Sequence, residues 1–365
     1  MAEASAKVVP VNVEGARYEI TVRPGLLSDV GSILASIART KRAGIITDSR
    51  VGPRYAQAVA DSLRSAGIEP VIATIPAGED HKTLSDMSPV YDVLLSARIE
   101  RSTPILALGG GVIGDMTGFV AATILRGVPF VQIPTTLLAM VDASVGGKTG
   151  INHAVGKNLI GAFHQPVAVL IDPAVLRTLP PRELRGGLAE CIKHDIVRDA
   201  EGFARLEREI DRALALDLDY LTDLIAHNVA IKARVVEADP FEHGERAHLN
   251  FGHTFGHAIE TASHYGYSHG ECVALGMVAV SRMAVDLGML DKQSCDRIVE
   301  VIRNAGLPTS GLKLATKDVV DAMIFDKKVR AGKVHFVLPD RLGHVVIRDD
   351  APVEKVTAAV ESLKG

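Results

Sequence analysis

The sequence is poor in aromatic residues and cysteines, which argues against several classes of protein. Tryptophan is absent and aromatic residues make up only 4% of the 365 residues, so a module that binds nucleic acid by base stacking is not expected. The net charge is −4, which gives no overall field that favours a polyanion or an anionic membrane. Only three cysteines occur, without a CxxC motif, as is typical of free thiols in a reducing cytoplasm.

Long apolar runs are also missing. No apolar run approaches the ~18 residues that cross a bilayer, and the first twelve residues contain no apolar segment of a secretory signal. The sequence therefore predicts a cytoplasmic protein that binds neither a membrane nor nucleic acid.

The first half of the chain alternates between short apolar strands and helical patterns. Residues 11–22 alternate around a Glu14-Gly15 turn, which predicts a β-hairpin. Five further strands are predicted at 44–47, 71–75, 105–108, 130–133 and 167–171, with helices at 55–66, 84–97 and 113–125. Such a pattern indicates a parallel sheet covered on both faces. Ligands of these sheets bind beyond the carboxyl ends of the strands.

The pattern changes after Leu179, where the Pro180-Pro181 pair fits a helix start. Helical periodicity then dominates, at 183–196, 221–238, 251–263, 272–287, 291–304 and 353–363, with one candidate hairpin at 334–347. We therefore predict two domains, an α/β domain over residues 1–179 and a helical domain over residues 180–365.

A glycine run follows the predicted strand at 105–108 and opens a helix. Gly109–Gly114, followed by Asp115, would let the backbone approach a phosphate at a helix N-terminus. The match to GxGxxG is imperfect, so a simple tight turn is equally compatible with it. Asp48 follows another strand and could bind a ribose or only cap a helix. Because Thr135 and Thr136 follow a third strand, the set together favours a dinucleotide site.

The stretch at 142–158 resembles a phosphate-binding loop only in part. Gly147-Lys148-Thr149 matches the end of the nucleoside triphosphatase motif, but that motif needs a glycine where this chain has Asp142. We therefore exclude such a loop. Two lysines remain in a glycine-rich loop, Lys148 and Lys157, and alone they would be ordinary surface residues.

Five histidines within residues 246–271 give the strongest chemical signal. His253 and His257 share one helix face, and His269 follows after a turn. Catalytic zinc sites use three protein ligands, most often imidazoles, and leave one position open. Glu190 could complete such a set, or it could only pair with Lys193 three residues later. Its small and apolar neighbours favour a buried carboxylate, which needs a cation.

Other polar residues crowd around the histidine segment. Each alone is typical of a protein surface, and their position beside candidate metal ligands is what makes them candidates: Lys232, Asp239, Glu242, Arg246, Asn250 and the charged segment Asp326-Lys327-Lys328.

Taken together, these blocks resemble the 3-dehydroquinate synthase family. The matching runs are GGGVIGDMTGFVA (109–121), RGVPFVQIPTTLLAMVDASVGGKTGIN (126–152), GKNLIGAFHQP (156–166), LPPREL with GGLAE (179–190), LNFGHTFGHAIE (249–260) and SHGE (268–271). The resemblance extends from about Val11 to the DKK at 326–328, which is most of the chain.

The resemblance implies a fold and a reaction. The fold is an N-terminal Rossmann-like NAD domain over residues 1–179 and a C-terminal all-α metal-binding domain over residues 180–365, with the active site in the cleft. The reaction is a phosphate lyase reaction that converts 3-deoxy-D-arabino-heptulosonate 7-phosphate into 3-dehydroquinate, in the shikimate route to aromatic amino acids. NAD oxidises C5, phosphate is eliminated, the ketone is reduced back, and the opened ring closes as a carbocycle.

The resemblance also assigns residues. It implies that Glu190, His253 and His269 are ligands of Zn²⁺ or Co²⁺, whereas His257 faces the substrate. Spacing alone does not decide which histidine has which role. For the anionic substrate and catalysis it implies Arg126, Asp142, Lys148, Asn158, Lys193, Lys232, Glu242, Arg246, Asn250 and His257. For NAD it implies Asp48, Glu79, Lys82, Gly110, Gly111, Val112, Ile113, Gly114, Asp115, Thr135, Thr136, Asp142, Lys148, Lys157 and Thr178. Arg126 would reach across from a second subunit, which implies a homodimer.

Three other functions compete with this interpretation. A metal-dependent polyol dehydrogenase would share the glycine turn and the histidine helix, but it needs no set of cations for phosphate and carboxylate. Another sugar-phosphate cyclase would act on a different sugar phosphate. A non-catalytic dinucleotide-binding regulator would be expected to lack the metal ligands.

Overall fold

The computed structural model describes residues 6–242, 244–264, 266–325 and 334–365. The chain forms two compact units, the first from Met1–Leu179 with Leu218–Pro240 and the second from Pro180–Asp217 with Phe241–Gly365. The charged segment Asp326-Lys327-Lys328 lies outside the described residues.

Strands and helices are numbered along the chain. The strands are β1 Lys7–Val13, β2 Ala16–Val22, β3 Arg42–Asp48, β4 Glu69–Ile75, β5 Ile105–Gly109, β6 Phe130–Pro134, β7 Lys148–His153, β8 Gly156–Phe163, β9 Ala168–Ile171, β10 Phe336–Arg341 and β11 His344–Arg348. The helices are α1 Val30–Ile37, α2 Gly52–Ser65, α3 Leu84–Ser96, α4 Gly111–Thr123, α5 Pro181–Arg198, α6 Ala200–Leu214, α7 Leu218–Ala238, α8 His253–Ala262, α9 His269–Asp286, α10 Lys292–Asn304, α11 Thr316–Phe325 and α12 Val353–Glu361.

The first unit is built on a seven-stranded sheet in the order β1-β2-β9-β6-β5-β3-β4. Only the β1–β2 hairpin is antiparallel, and the other neighbours run parallel. Every residue of β5 and β6 is buried, as expected of central strands covered on both faces. The predicted hairpin at 11–22 and all five predicted strands are confirmed.

The segment at 142–158 differs from the expected loop. Much of it belongs to an antiparallel hairpin, β7–β8, that stands apart from the main sheet. Its glycines allow close packing: a Cβ on Gly161 would lie 2.0 Å from the Thr149 carbonyl oxygen. Glycine content alone suggested a loop, whereas here the glycines permit two strand backbones to approach closely.

Helix α7 also departs from the expected domain division, because it belongs to the first unit rather than the second. It is tied to β1 near both of its ends, because the Asn12 amide donates to Glu237 at 2.6 Å and Lys7 lies 3.1 Å from Asp223. Lys232 therefore lies in the unit that holds the sheet. Helical periodicity shows that a helix has an apolar face, but not which partner covers that face.

The second unit contains α5, α6, α8–α12 and the hairpin β10–β11. It is therefore helical with one hairpin rather than entirely α, and that hairpin was predicted at 334–347. Helices α1, α6 and α11 were not predicted. Within the described residues, no helix combines the length and apolarity that a membrane span requires.

Glycines bring three helices of the second unit close together. A Cβ on Gly270 would lie 2.3 Å from the Gly186 Cα, so α9 meets α5 backbone to backbone. A Cβ on Gly276 would lie 1.9 Å from the Gly252 carbonyl oxygen, which gives α9 an equally close contact beside the start of α8. These contacts determine how near the side chains at the ends of α8 and α9 can come to α5.

Candidate active site

Three predicted metal ligands converge in the second unit. Glu190 lies on α5 and is fully buried, whereas His253 and His269 are the first residues of α8 and α9. The Glu190 Oε1 atom lies 3.6 Å from His253 Nε2 and 3.5 Å from His269 Nε2. Ligands held about 2.0–2.2 Å from one tetrahedral ion lie about 3.3–3.6 Å apart. The donor set therefore fits a divalent cation such as Zn²⁺ or Co²⁺.

Both imidazoles present the same nitrogen to Glu190. His253 Nδ1 lies 3.1 Å from the Phe251 carbonyl oxygen, so this nitrogen carries the proton and Nε2 keeps its lone pair. His269 Nδ1 lies 3.6 Å from Glu260 Oε2. The Nε2 atoms are thus directed towards the position where a metal would share them with Glu190.

The local electrostatics distinguish the two histidines. Burial, reinforced by the positive charge of Lys193, places the pKa of His253 well below its ordinary value, so this ring is neutral and able to bind a metal. Burial also opposes protonation of His269, but hydrogen bonding to Glu190 and Glu260 outweighs it and raises the pKa of His269 to about 9. In the metal-free protein, a proton on His269 therefore supplies part of the positive charge that a bound cation would bring.

Lys193 forms a buried ion pair with Glu190 one turn along α5. The Lys193 side chain is 2% exposed and that of Glu190 is 0% exposed. The sequence left two interpretations open, an ion pair or a metal ligand, and the structure is compatible with both because the two Glu190 oxygens face different partners.

The remaining predicted residues of the second unit lie close to these ligands in sequence or space. The His257 ring lies edge-on to His253, with centroids 5.3 Å apart, and 6.2 Å from His269. Asn250 Nδ2 donates to Glu242 Oε1 at 2.9 Å, and Arg246 is buried. Glu242 has a φ of 61°, the left-handed region. Such strain at a non-glycine residue often accompanies function.

In the first unit, the glycine run turns from β5 into α4 as predicted. Gly110 precedes the helix, and Gly111, Val112, Ile113 and Gly114 form its first turn. A Cβ on Gly114 would lie 2.9 Å from the side-chain oxygen of Gln132 on β6, so the Gln132 side chain would have to shift to admit a larger residue there. The open amide groups of this turn suit a phosphate.

Thr135 and Thr136 lie beside the glycine turn. The Thr135 amide donates to the Gly109 carbonyl at 2.9 Å, which joins the ends of β5 and β6. Thr136 accepts from the Ala139 amide at 3.2 Å. The strand ends that were expected to form a dinucleotide site are therefore neighbours in the sheet.

Lys82 is buried and binds two other predicted residues. Its Nζ donates to Asp115 Oδ2 and Asn158 Oδ1, each at 2.5 Å. Burial raises the pKa of Asp115, and the charge of Lys82 opposes that rise. Asn152 continues the network, because it donates to Glu79 Oε1 at 2.8 Å and accepts from the Asn158 amide at 2.9 Å.

Asp142 and Lys232 form a second polar contact in the first unit. Lys232 Nζ lies 2.6 Å from Asp142 Oδ1, and it also donates to the Asp142 carbonyl. Lys232 comes from α7 and Asp142 from the segment that follows β6. The contact explains why α7, so distant in sequence, completes this unit.

Other predicted residues occupy separate places in the first unit. Asp48 accepts from the Arg50 and Val51 amides, at 2.7 and 2.9 Å, in the turn before α2, so it is not the N-cap of that helix, which is Val51. Thr178 lies 2.5 Å from the Tyr55 hydroxyl. Arg126 lies just after α4 and has a φ of 65°. Lys148 is the exposed first residue of β7, and Lys157 lies on β8.

Two residues of these networks were missed in the sequence. Glu260 lies near His269 Nδ1, and Asn152 bridges Glu79 to Asn158. Glu260 could have been found, since it follows His253 by seven residues and His257 by three, which places all of them on one helix face. Asn152 gave no such signal, because its partner Glu79 lies 73 residues away in the sequence.

Comparison with known proteins identifies the family. The sequence patterns that define the N-terminal and C-terminal parts of 3-dehydroquinate synthase match residues 72–186 and 187–329. The chain belongs to the 3-dehydroquinate synthase family. A 3-dehydroquinate synthase from a Synechococcus strain is 48% identical over 97% of this chain and 98% of its own length. One from Desulforamulus reducens is 47% identical over 96% of this chain and 99% of its own length.

Solved structures share the fold. A 2-epi-5-epi-valiolone synthase from Streptomyces hygroscopicus, with NAD⁺ and Zn²⁺ bound, is 31% identical with a TM-score of 0.88, covering 96% of this chain and 98% of that chain. A 2-deoxy-scyllo-inosose synthase with NAD⁺ and Co²⁺ is 24% identical with a TM-score of 0.89, covering 98% and 100%. Butanol dehydrogenase A from Thermotoga maritima is 18% identical with a TM-score of 0.67, covering 95% and 96%. The last two establish the fold alone.

Proposed function

We propose that this chain converts 3-deoxy-D-arabino-heptulosonate 7-phosphate into 3-dehydroquinate and phosphate, with NAD and a divalent metal ion. The observation that carries the proposal is the convergence of Glu190, His253 and His269 at separations that suit one ion, in a chain 46–48% identical to 3-dehydroquinate synthases over nearly its full length. The buried Lys193 beside them adds a cation for an anionic substrate.

In the second unit, Glu190, His253 and His269 would hold the metal. When bound, the ion acts as a Lewis acid that polarises the hydroxyl to be oxidised. Lys193, Arg246 and Asn250 would hold anionic and hydroxyl groups of the substrate through charge-assisted hydrogen bonds. His257 would face the substrate rather than the ion, since His253 and His269 already supply two imidazoles within 3.6 Å of Glu190.

In the first unit, the turn Gly110–Gly114 would bind the NAD pyrophosphate at the start of α4. When bound, NAD supplies reversible hydride transfer. Thr135, Thr136, Asp48, Glu79 and Lys82 lie at or follow strand ends of the same unit, where ribose and phosphate groups of such cofactors bind.

Other polar residues of the first unit are proposed to be held in a defined orientation or to contact a bound ligand. Asp115 would be held by Lys82, and Asp142 by Lys232, so that each carboxylate keeps a defined orientation. Lys148, Lys157, Asn158 and Thr178 are proposed to contact the cofactor or a substrate anion.

We also propose a homodimer to which Arg126 contributes across the subunit boundary. The support is an apolar strand surface: on β8, Leu159, Ile160 and Phe163 are 37–49% exposed. Exposed apolar side chains on a strand are typical of a surface that another protein covers. Mixing an inactive Arg126→Ala variant with a second inactive variant, Glu190→Ala, should restore part of the activity, and failure to do so would contradict a role in trans.

A cytoplasmic location is part of the same proposal. All three cysteines are buried and free. Free thiols are typical of proteins in a reducing compartment. Fractionation of cells that express the tagged protein would test this location.

A different sugar-phosphate cyclase is the strongest alternative, because the valiolone synthase shares 31% identity and the same fold. The identity to 3-dehydroquinate synthases is higher, at 46–48%. A polyol dehydrogenase is less well supported, since the butanol dehydrogenase shares only 18% identity.

One assay distinguishes these functions. Purified protein is mixed with the heptulosonate phosphate and catalytic NAD, and phosphate release is followed together with absorbance of NADH. Phosphate release without net NADH supports the proposal, whereas steady NADH formation on a simple polyol supports a dehydrogenase. Release from a different sugar phosphate alone would favour another cyclase.

A pair of variants on α5 tests the metal site. Glu190→Ala should abolish metal retention and turnover, because it removes the carboxylate whose Oε1 lies within 3.6 Å of both imidazole Nε2 atoms. Glu183→Ala, at an exposed position of the same helix, should retain both. Full metal content in the Glu190 variant would refute the ligand assignment.

A further inference from the structure

The Nδ1 atoms of the two proposed metal-binding histidines lie near different kinds of hydrogen-bond acceptor. His253 Nδ1 is 3.1 Å from a backbone carbonyl, that of Phe251. His269 Nδ1 faces a side chain, the carboxylate of Glu260, at 3.6 Å. In both residues Nε2 is the atom directed to Glu190. Metal-bound histidines usually donate their second nitrogen to a carboxylate or carbonyl, which fixes the tautomer and the ring orientation.

Glu260 is well placed for this role. It lies on α8, on the same face as His253 and His257, so its carboxylate enters the site from the helix that carries one ligand and reaches the ligand of another helix. Its side chain is only 12% exposed, whereas that of His269 is 36% exposed. The more exposed imidazole is thus the one that needs a side-chain partner to restrict its rotation.

We propose that Glu260 is a positioning residue that accepts the Nδ1–H of His269 when the metal is bound. The separation of 3.6 Å is within ion-pair range, and a shift of about half an ångström would bring it to hydrogen-bond length. Glu260 then does for His269 what the Phe251 carbonyl does for His253. This inference rests on the proposed function, because it presupposes the metal at Glu190, His253 and His269.

A competing role for Glu260 is direct ligation. His257, Glu260 and His269 also have ligand atoms within 4.8 Å of one another. Direct ligation would require His269 to offer Nδ1 instead of Nε2, and Nε2 would then leave Glu190. The two roles predict different consequences when the Glu260 carboxylate is removed, because a ligand contributes far more to affinity than its hydrogen-bonding partner.

The test measures Co²⁺ affinity by chelator competition and the visible spectrum of the Co²⁺ protein, for Glu260→Gln, Glu260→Leu and Glu190→Ala. Glu260→Leu should weaken Co²⁺ binding about 10–100-fold, the usual effect of losing such a partner. Glu260→Gln keeps an acceptor oxygen and should recover most of that loss. Both should retain the Co²⁺ absorption intensity of a four-coordinate site, with shifted bands in the leucine variant.

The outcomes separate the inference from the proposed function. Unchanged Co²⁺ affinity and spectrum in both Glu260 variants would overturn the positioning role, and so would a loss as complete as that of Glu190→Ala, which would make Glu260 a ligand. If Glu190→Ala itself binds Co²⁺ normally, the metal site of the proposed function fails instead. Because Glu260→Gln is nearly isosteric, it keeps the test decisive if the leucine variant does not fold.

Discussion

Gly270 is the position where a single methyl group should disrupt the metal site without touching a ligand. It directly follows His269 at the start of α9, and its backbone lies against Gly186 of α5, one turn before Glu190. A Cβ on Gly270 would meet the Gly186 Cα at 2.3 Å and the Gly186 carbonyl oxygen at 2.7 Å. Both are backbone atoms, so no side-chain rotation can relieve the overlap.

The size of the effect follows from these distances. Carbon atoms in contact lie about 3.5–4.0 Å apart, so α9 must move from α5 by about 1 Å or more near Gly270. Such overpacking costs about 1–3 kcal/mol. The 3.5 Å gap between Glu190 Oε1 and His269 Nε2 would widen by a similar distance. Metal bonds of about 2.0–2.2 Å cannot bridge the wider gap, so we expect Gly270→Ala to weaken Zn²⁺ binding by at least about 100-fold.

Chain geometry supplies a matched control in the partner glycine. A Cβ on Gly186 would meet only the Gly270 Cα, at 3.8 Å, an ordinary contact. Gly186→Ala should therefore keep wild-type Zn²⁺ affinity, with the helix stabilised by about 0.5–1 kcal/mol. Zn²⁺ affinity is measured by chelator competition, and circular dichroism checks that each variant is folded. Equal affinities for the folded Gly270→Ala and Gly186→Ala variants would refute the argument that this contact sets the ligand spacing.

Three further predictions concern charge. Since the pKa of His269 is about 9 in the metal-free protein, a proton must leave this ring as the metal binds. Zn²⁺ affinity should therefore rise about tenfold per pH unit between pH 6.5 and 8.5. Chelator competition, corrected for protonation of the chelator, measures this, and an affinity that stays constant over that range would contradict it. Lys232→Met removes the contact to Asp142 and should lower turnover about 100-fold or more, and phosphate release at a near wild-type rate would refute that role. Lys193→Met should tighten Zn²⁺ binding about 10-fold or more while lowering turnover, because it removes a cation beside Glu190; weaker Zn²⁺ binding would contradict it.

Much of the first unit could be predicted because its signals are local. The five parallel strands are short apolar runs, and β5 leads directly into the glycine turn at Gly110. The membership of α7 could not be predicted, since the contact between Lys232 and Asp142 joins residues 90 positions apart. The hairpin β7–β8 was missed for a different reason. Its glycines, such as Gly161, serve a close backbone contact that composition alone cannot distinguish from a flexible loop.

The metal site shows the same division between local and distant information. His253 and His257 share a helix face, so spacing alone offered both as ligands. Which of the two rings faces Glu190 depends on how α8 lies against α5 and α9, and glycine contacts bring α9 close to α5 and to the start of α8. The family resemblance supplied the grouping of Glu190, His253 and His269, whose side chains the structure brings together; their role as metal ligands stays a prediction. The periodicity of residues within one helix does not show how closely a second helix packs against it.

The charges around the ligands explain why a lysine belongs beside a metal site. In the metal-free protein the charges of two carboxylates, Glu190 and Glu260, are balanced by Lys193 and by the proton on His269, which a bound metal displaces. A divalent ion changes this to one net positive charge, which attracts an anionic substrate in a buried setting. Without Lys193 the loaded site would be neutral, and the metal would be held more tightly but would draw the substrate less strongly. We therefore expect Lys193 to weaken metal binding and to strengthen substrate binding, so its removal should change the two in opposite directions.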